Sequence, residues 1–93
     1  MALQFEWHDR KAAANLRKHG ISFEEAATIF GDPLSRTITD HEHISSREER
    51  LITIGMSLLG RLLVVIHLEH GLKIRLISAR RATASERTDY ENA

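Results

Sequence analysis

The sequence predicts an α+β domain with a single antiparallel sheet, in the order strand, helix, helix, four strands, helix, and with helices on one face. Three observations carry this. Between Arg50 and Arg81 three runs rich in Val, Ile and Leu are parted by Leu58-Leu59-Gly60 and by His70-Gly71, which is the pattern of an antiparallel meander. Ser22 followed by Glu25 is a capping box, the signature of a helix start. Thr83 followed by Glu86 repeats that signature after the last strand.

In chain order, Gln4 to Trp7 reads as a short strand whose Phe5 and Trp7 share a face and lie against the core. Asp9 is the expected N-cap of a first helix through Lys18, with Gly20 as its stop and Lys18 and His19 at the negative end of its dipole. Its apolar side is modest: Ala12, Ala13 and Leu16. A second helix follows Ser22, with Ile21 and Ala26 as a hydrophobic staple and Phe23, Ala26, Ala27 and Phe30 at helical spacing, until Gly31-Asp32-Pro33 ends it. Leu34 to Thr39 is expected to pair antiparallel with Leu51 to Ser57, across a polar connection from Asp40 to Arg47. Glu86, Arg87 and Tyr90 sit on a short terminal helix.

Strand alternation and turn length predict which side chains share a face. A three-residue loop Glu69-His70-Gly71 pairs Leu68 with Leu72. The core row is then Ile52, Ile54, Met56, Leu62, Val64, Ile66, Leu68, Leu72, Ile74 and Leu76. The other face carries Arg61, His67, Lys73 and Arg75 beside an apolar strip of Leu51, Leu63, Val65 and Ile77. In this register Val65 lies opposite Arg75 and His67 opposite Lys73.

The length of 93 residues suits one domain with one core. The absence of cysteine excludes disulfides and thiolate metal sites. With no targeting segment or membrane-length apolar run, a cytoplasmic protein is expected. A formal net charge of zero argues against a general polyanion coat. From Leu51 to Ser85, however, Arg61, Lys73, Arg75, Arg80 and Arg81 face a single acid, Glu69.

The Arg–His pairing on the mixed face suits RNA cleavage without a metal. Arginine offers a fixed fork of donors for phosphate, and histidine, with an unperturbed pKa of ~6.5, moves protons near neutrality. The 2′-hydroxyl of RNA is an internal nucleophile, so the enzyme need only deprotonate it, stabilise the phosphorane and protonate the leaving oxygen. The bland reading of these residues is a solvated sheet face. His41 and His43 with Asp40 and Glu42 suggest a metal cluster, but alternate residues in a loop set no ligand geometry, and a solvated loop is the better reading.

Phe5-Glu6-Trp7, the run from Lys18 to Ala26, Glu49-Arg50, Ile54-Gly55, Gly60-Arg61, Ile74-Arg75, the run from Ile77 to Arg80, and Glu86-Arg87 with Tyr90 together resemble the BrnT family of toxins over nearly the whole chain. The resemblance implies the toxin half of a type II toxin–antitoxin pair: an RNase with a RelE-like fold, silenced by a BrnA-like antitoxin that itself binds operator DNA. No cofactor and no membrane are expected for such a toxin. One departure is His8, which stands where the family usually has Asp after the Trp.

The resemblance adds weight to Arg61, Arg75, Arg80 and Tyr90, while His67 rests on the sheet argument. The resulting site has Arg61, His67, Arg75 and Arg80 as catalytic residues and Lys18, His19, Lys73, Arg81 and Tyr90 as RNA contacts. Competing readings are a non-enzymatic interaction module, with Arg80 and Arg81 pairing with a partner's acids, and a DNA-binding regulator. The second is disfavoured because no helix is both basic and flanked like a recognition helix.

Overall fold

The computed structural model describes residues 2–40 and 49–92. Five strands and three helices follow one another as β1 (Gln4–Glu6), α1 (Asp9–His19), α2 (Phe23–Ala27), β2 (Arg36–Thr39), β3 (Leu51–Met56), β4 (Leu62–His70), β5 (Lys73–Arg81) and α3 (Ala84–Glu91). A 3₁₀ turn, Thr28–Gly31, continues α2. The strands form one sheet in the order β1-β5-β4-β3-β2.

Three of the four pairings are antiparallel as expected, but β1 runs parallel to β5, so the sheet is mixed. The early helices lie on one face. The expectation that all helices share that face fails for α3, which lies on the other.

Local signals account for the helices. Gly20 ends α1 at φ +71°, and its N–H bonds to Leu16 O, a left-handed stop that glycine makes without steric cost. The N-cap of α1 is His8 rather than Asp9, and His8 makes no side-chain capping bond; Asp9 sits one residue inside, in the first turn, where its charge still suits the dipole. Ser22 Oγ caps α2 by accepting from Glu25 N–H at 3.0 Å. The capping box is complete only at Thr83–Glu86.

The expected inner side of α1 needs correction. Leu16 is exposed, and the buried side chain is Asn15. Its amide donates to the carbonyls of Ile21 and Ala79 at 2.9 Å and accepts from Ala79 N–H at 3.0 Å. Asn15 thus occupies the place of a neighbouring strand at the edge of β5, and satisfied backbone groups outweigh an apolar contact there.

The β3–β4 register is as expected, with Ile54 opposite Val64 and Met56 opposite Leu62. The β4–β5 register is not. The hairpin turn has two residues, Gly71 and Leu72, with His70 opposite Lys73 and Arg75 opposite Leu68. Gly71, at φ +62°, takes the first central position, where a primed turn places glycine. A bulge then leaves Ile77 without a partner on β4, because His67 faces Leu76 while Ile66 faces Ser78.

The consequence is an inverted face on β3 and β4. Ile74 and Leu76 do lie beneath the early helices, but alongside Leu63, Val65 and Ala79, packed under Ile21, Phe23, Ala26 and Ile29. Leu63 and Val65 are therefore core, not an exposed strip. Phe5 and Trp7 border this core, with ring centroids 5.4 Å from Phe30 and 5.9 Å from Phe23 respectively. Gly55 lets the 3₁₀ turn approach: a Cβ there would stand 3.1 Å from Ile29 O and from Ser35 Cβ.

The opposite face carries Ile52, Ile54, Leu62, Val64 and Ile66, partly covered by α3. Arg36, Ile54, Val64 and Arg80 form one cross-strand row, and α3 lies across it. Arg36 Nη2 donates to Asp89 O, while Arg80 Nη1 and Nη2 donate to the two Glu86 carboxylate oxygens at 2.8 and 2.9 Å. No residue of α3 is buried, so polar ties of this kind are its main attachment.

Candidate functional site

Cationic side chains gather at one end of the sheet, where α1 stops, β4 starts and β5 finishes. Arg61 precedes β4, and its Nη2 reaches the carbonyl of Gly20 at 3.4 Å, just past His19. Arg81 stands on β5 opposite Leu63, on the helix-covered face. Arg80 occupies the other face, with Nη1 3.2 Å from Arg81 O. Lys18 and His19 stand in the last turn of α1, the end that Arg61 reaches, and both line the cleft between α1 and β5.

Glu25 organises this end. Its Oε2 accepts from Arg61 Nε at 2.9 Å and from Ser57 Oγ at 2.8 Å, and its Oε1 accepts from Arg61 Nη2. The Arg61 guanidinium holds the Glu25 carboxyl below its usual range against the desolvation of burial, with Arg81 adding to the effect. The same contact raises Arg61. Glu86 is held down to about 2, mainly by Arg80. Arg61 and Arg80 are thus fixed in orientation by carboxylates, whereas Arg81 is exposed and makes no side-chain ion pair among the described residues.

His67 does not join the site. The expected adjacency of His67 and Arg75 rested on the incorrect register; Arg75 lies on the opposite face. His67 is completely buried beneath Phe30, whose ring stands edge-on at 4.9 Å. Its Nε2 lies 2.7 Å from Thr53 Oγ1, which lies 2.6 Å from Thr37 Oγ1. Burial pushes the imidazole down to about 4, so it is neutral at pH 7, and Glu69 at 3.6 Å from Nδ1 is not an ion-pair partner there. The neutral ring joins a chain of hydroxyls through Nε2, while its buried Nδ1 has no hydrogen-bond partner among the described residues.

Lys73 and Arg75 lie toward the far end of β5. Five residues of strand, about 16 Å, separate Arg75 from Arg80, and Arg75 pairs with Glu6 through Nε at 2.9 Å and Nη2 at 2.8 Å. Tyr90 donates its hydroxyl to Asp32 Oδ2 at 2.6 Å, which raises its pKa. Asp32 also accepts from Met56 N–H and Leu34 N–H. Despite desolvation, these bonds with that of Tyr90 keep its carboxyl low.

Sequence reasoning missed Asn15, Glu25 as an arginine partner, and Asp32 as the anchor of Tyr90. For Asn15 a signal existed: an amide in mid-helix is out of place unless it has a partner. The histidines His41 and His43 lie outside the described residues. Among the described residues no three His, Asp or Glu side chains converge as metal ligands, and no helix is long and apolar enough to cross a membrane.

The fold is similar to the crystal structure of the Brucella abortus ribonuclease toxin BrnT, with a TM-score of 0.65 and 21% identity over 88% of this chain and 99% of that one. Residues 7–86 match the family described as ribonuclease toxin, BrnT, of type II toxin–antitoxin system. The chain belongs to the BrnT family. No curated relative matches it. Membership makes it a toxin of the type II class, whose partner is an antitoxin protein. The BrnT match runs from Trp7 to Glu86 and so spans Lys18, Arg61, Arg80 and Arg81.

Proposed function

We propose that the protein cleaves RNA without a metal at the sheet end where Arg61, Arg80 and Arg81 meet Lys18 and His19, and that a BrnA-like antitoxin silences it. The observation that carries this reading is that Arg61 reaches the end of α1 where β5 finishes with Arg81 on the same face and Arg80 on the reverse, in a chain whose family is a ribonuclease toxin family.

In the proposed reaction His19 takes the proton of the RNA 2′-hydroxyl. The 2′-oxygen attacks the adjacent phosphorus, the bond to the 5′-oxygen breaks, and a water molecule protonates the leaving oxygen, giving a 2′,3′-cyclic phosphate and a hydroxide that takes back the proton held by His19. Arg81 meets the phosphate first, and Arg61 and Arg80, held by Glu25 and Glu86, offer their remaining donors to the phosphorane, where added negative charge strengthens each bond. Lys73 and Arg75 hold flanking phosphates at the far end of β5, and Tyr90 offers a ring for base stacking. Operator DNA is reached only through the antitoxin.

The antitoxin surface we assign is the open part of the second face, the row Ile38, Ile52 and Ile66 beside α3. Ile38 is 64% exposed, and a contiguous apolar row beside a polar rim suits a protein partner. The deciding experiment incubates purified protein with labelled RNA, with and without chelator. Cyclic-phosphate products in both arms are expected; RNA left intact by the free toxin would overturn the reading, and cleavage lost with chelator and restored by a divalent ion would overturn metal independence.

A further inference from the structure

We propose that the cleft between α1 and β5 is a phosphate-binding track for single-stranded RNA that runs from Lys18 and His19 of the cleavage site along α1 to Lys11; this rests on the RNA reading above. The cleft measures about 280 Å³ and is lined by Lys11, Ala14, Lys18, His19, Ile77 and Ser78, with Asn15 at its base. Lys11 and Lys18 are exposed, on one side of α1, seven residues and about 10 Å apart along the axis. Ala14 between them leaves the space open.

Neither lysine has a carboxylate partner among the described residues, in contrast to Arg61, Arg75 and Arg80. The floor is a gap in the edge of the sheet. Pairing of β1 with β5 stops at Arg75, Asn15 takes both polar groups of Ala79, and the bulge residue Ile77 has no partner on β4. Two exposed lysines about 10 Å apart along an open cleft offer successive contacts to the phosphates of an extended polyanion. The cleft also leads on: His19 lines it, and the next residue, Gly20, carries the carbonyl that Arg61 contacts. A strand lying on Lys11 and Lys18 is therefore delivered to the cleavage site.

The test measures anisotropy of a fluorescent 2′-O-methyl oligoribonucleotide, which lacks the nucleophile, across a salt series. Each lost phosphate contact lowers the slope of log K against log salt by ~0.7 for single strands. K11Q, outside the cleavage site, should therefore lower it by about 0.7. R10Q removes the same charge from a face turned about 100° around the helix and should lower it clearly less. Equal effects of the two variants, or none from K11Q, would overturn the track while leaving the cleavage site standing. Absence of any salt-dependent binding by the unsubstituted protein would overturn the RNA reading itself. Tighter binding of a poly-glutamate peptide than of the oligonucleotide would reassign the cleft to an acidic protein segment.

Discussion

Glu25 Oε2 accepts a hydrogen bond from Arg61 Nε at 2.9 Å, joining α2 to the residue before β4 across 36 positions of chain. The carboxylate is nearly buried, at 4% side-chain exposure, while the guanidinium is 29% exposed. One group is anchored and the other still reaches solvent. Arg61 is thereby held in place yet keeps donors for a substrate phosphate.

Glu25→Gln is expected to destabilise the fold by roughly 1.5–3 kcal/mol, the range for charge-assisted hydrogen bonds. Glu25→Ala should cost more, because Ser57 Oγ, itself buried, also loses its partner. Urea denaturation of both variants checks the order. Equal stability of Glu25→Ala and the unsubstituted protein would refute the role.

The buried imidazole makes stability depend on pH. With His67 at about 4 in the folded state and the ordinary 6.5 when unfolded, the unfolded chain binds more protons between these values. Stability therefore rises with pH across that window, is full above about 6.5, and the difference reaches on the order of 3 kcal/mol. In His67→Gln that slope should vanish in chemical denaturation at pH 4.5, 5.5 and 7.

The same substitution separates fold from chemistry. If His19 moves the proton, His19→Gln flattens the rate–pH profile, whereas His67→Gln leaves its shape unchanged and lowers only stability. A profile flattened by His67→Gln alone would return the proton transfer to the core histidine.

Arg80→Ala and Arg81→Ala are each expected to lower turnover by ~10²–10³, as loss of one transition-state donor does, and to relieve growth arrest while the protein still binds its antitoxin. Arg75→Ala should raise KM with little effect on kcat, since its guanidinium lies about 16 Å along β5 from Arg80. Single-turnover and steady-state kinetics distinguish the two classes.

The terminal helix should open before the rest of the molecule. It buries no residue and is held by Arg36, by Arg80 on Glu86, and by Tyr90 on Asp32. Thr83→Ala removes its cap, a loss of about 1 kcal/mol, and should speed amide exchange from Ala84 to Glu91 several-fold without changing exchange in β4.

The helix boundaries, the β2–β3–β4 pairing and the family resemblance were legible from residues alone, because caps, glycine stops and short apolar runs act locally. So was the local surplus of positive charge between Leu51 and Ser85. The face of the sheet was not. From Leu62 to Ile66 every residue of β4 is apolar, and both of its rows are at least largely removed from solvent, so alternation cannot say which row lies under the helices.

That choice fell to tertiary contacts. A two-residue turn at Gly71-Leu72 shifted β5 by three residues relative to the expected pairing, so that Leu68 faces Arg75 instead of Leu72, and the bulge at Ile77 then allowed Ile74, Leu76 and Ala79 to share the face of Leu63 and Val65. His67 was carried into the core by the same shift, and Arg75 to the far side. The parallel partner of β1 and the meeting of Arg61 with Glu25 likewise depend on residues distant in the chain. Local sequence determines which elements form; the closing of the core determines which side chains those elements turn toward one another.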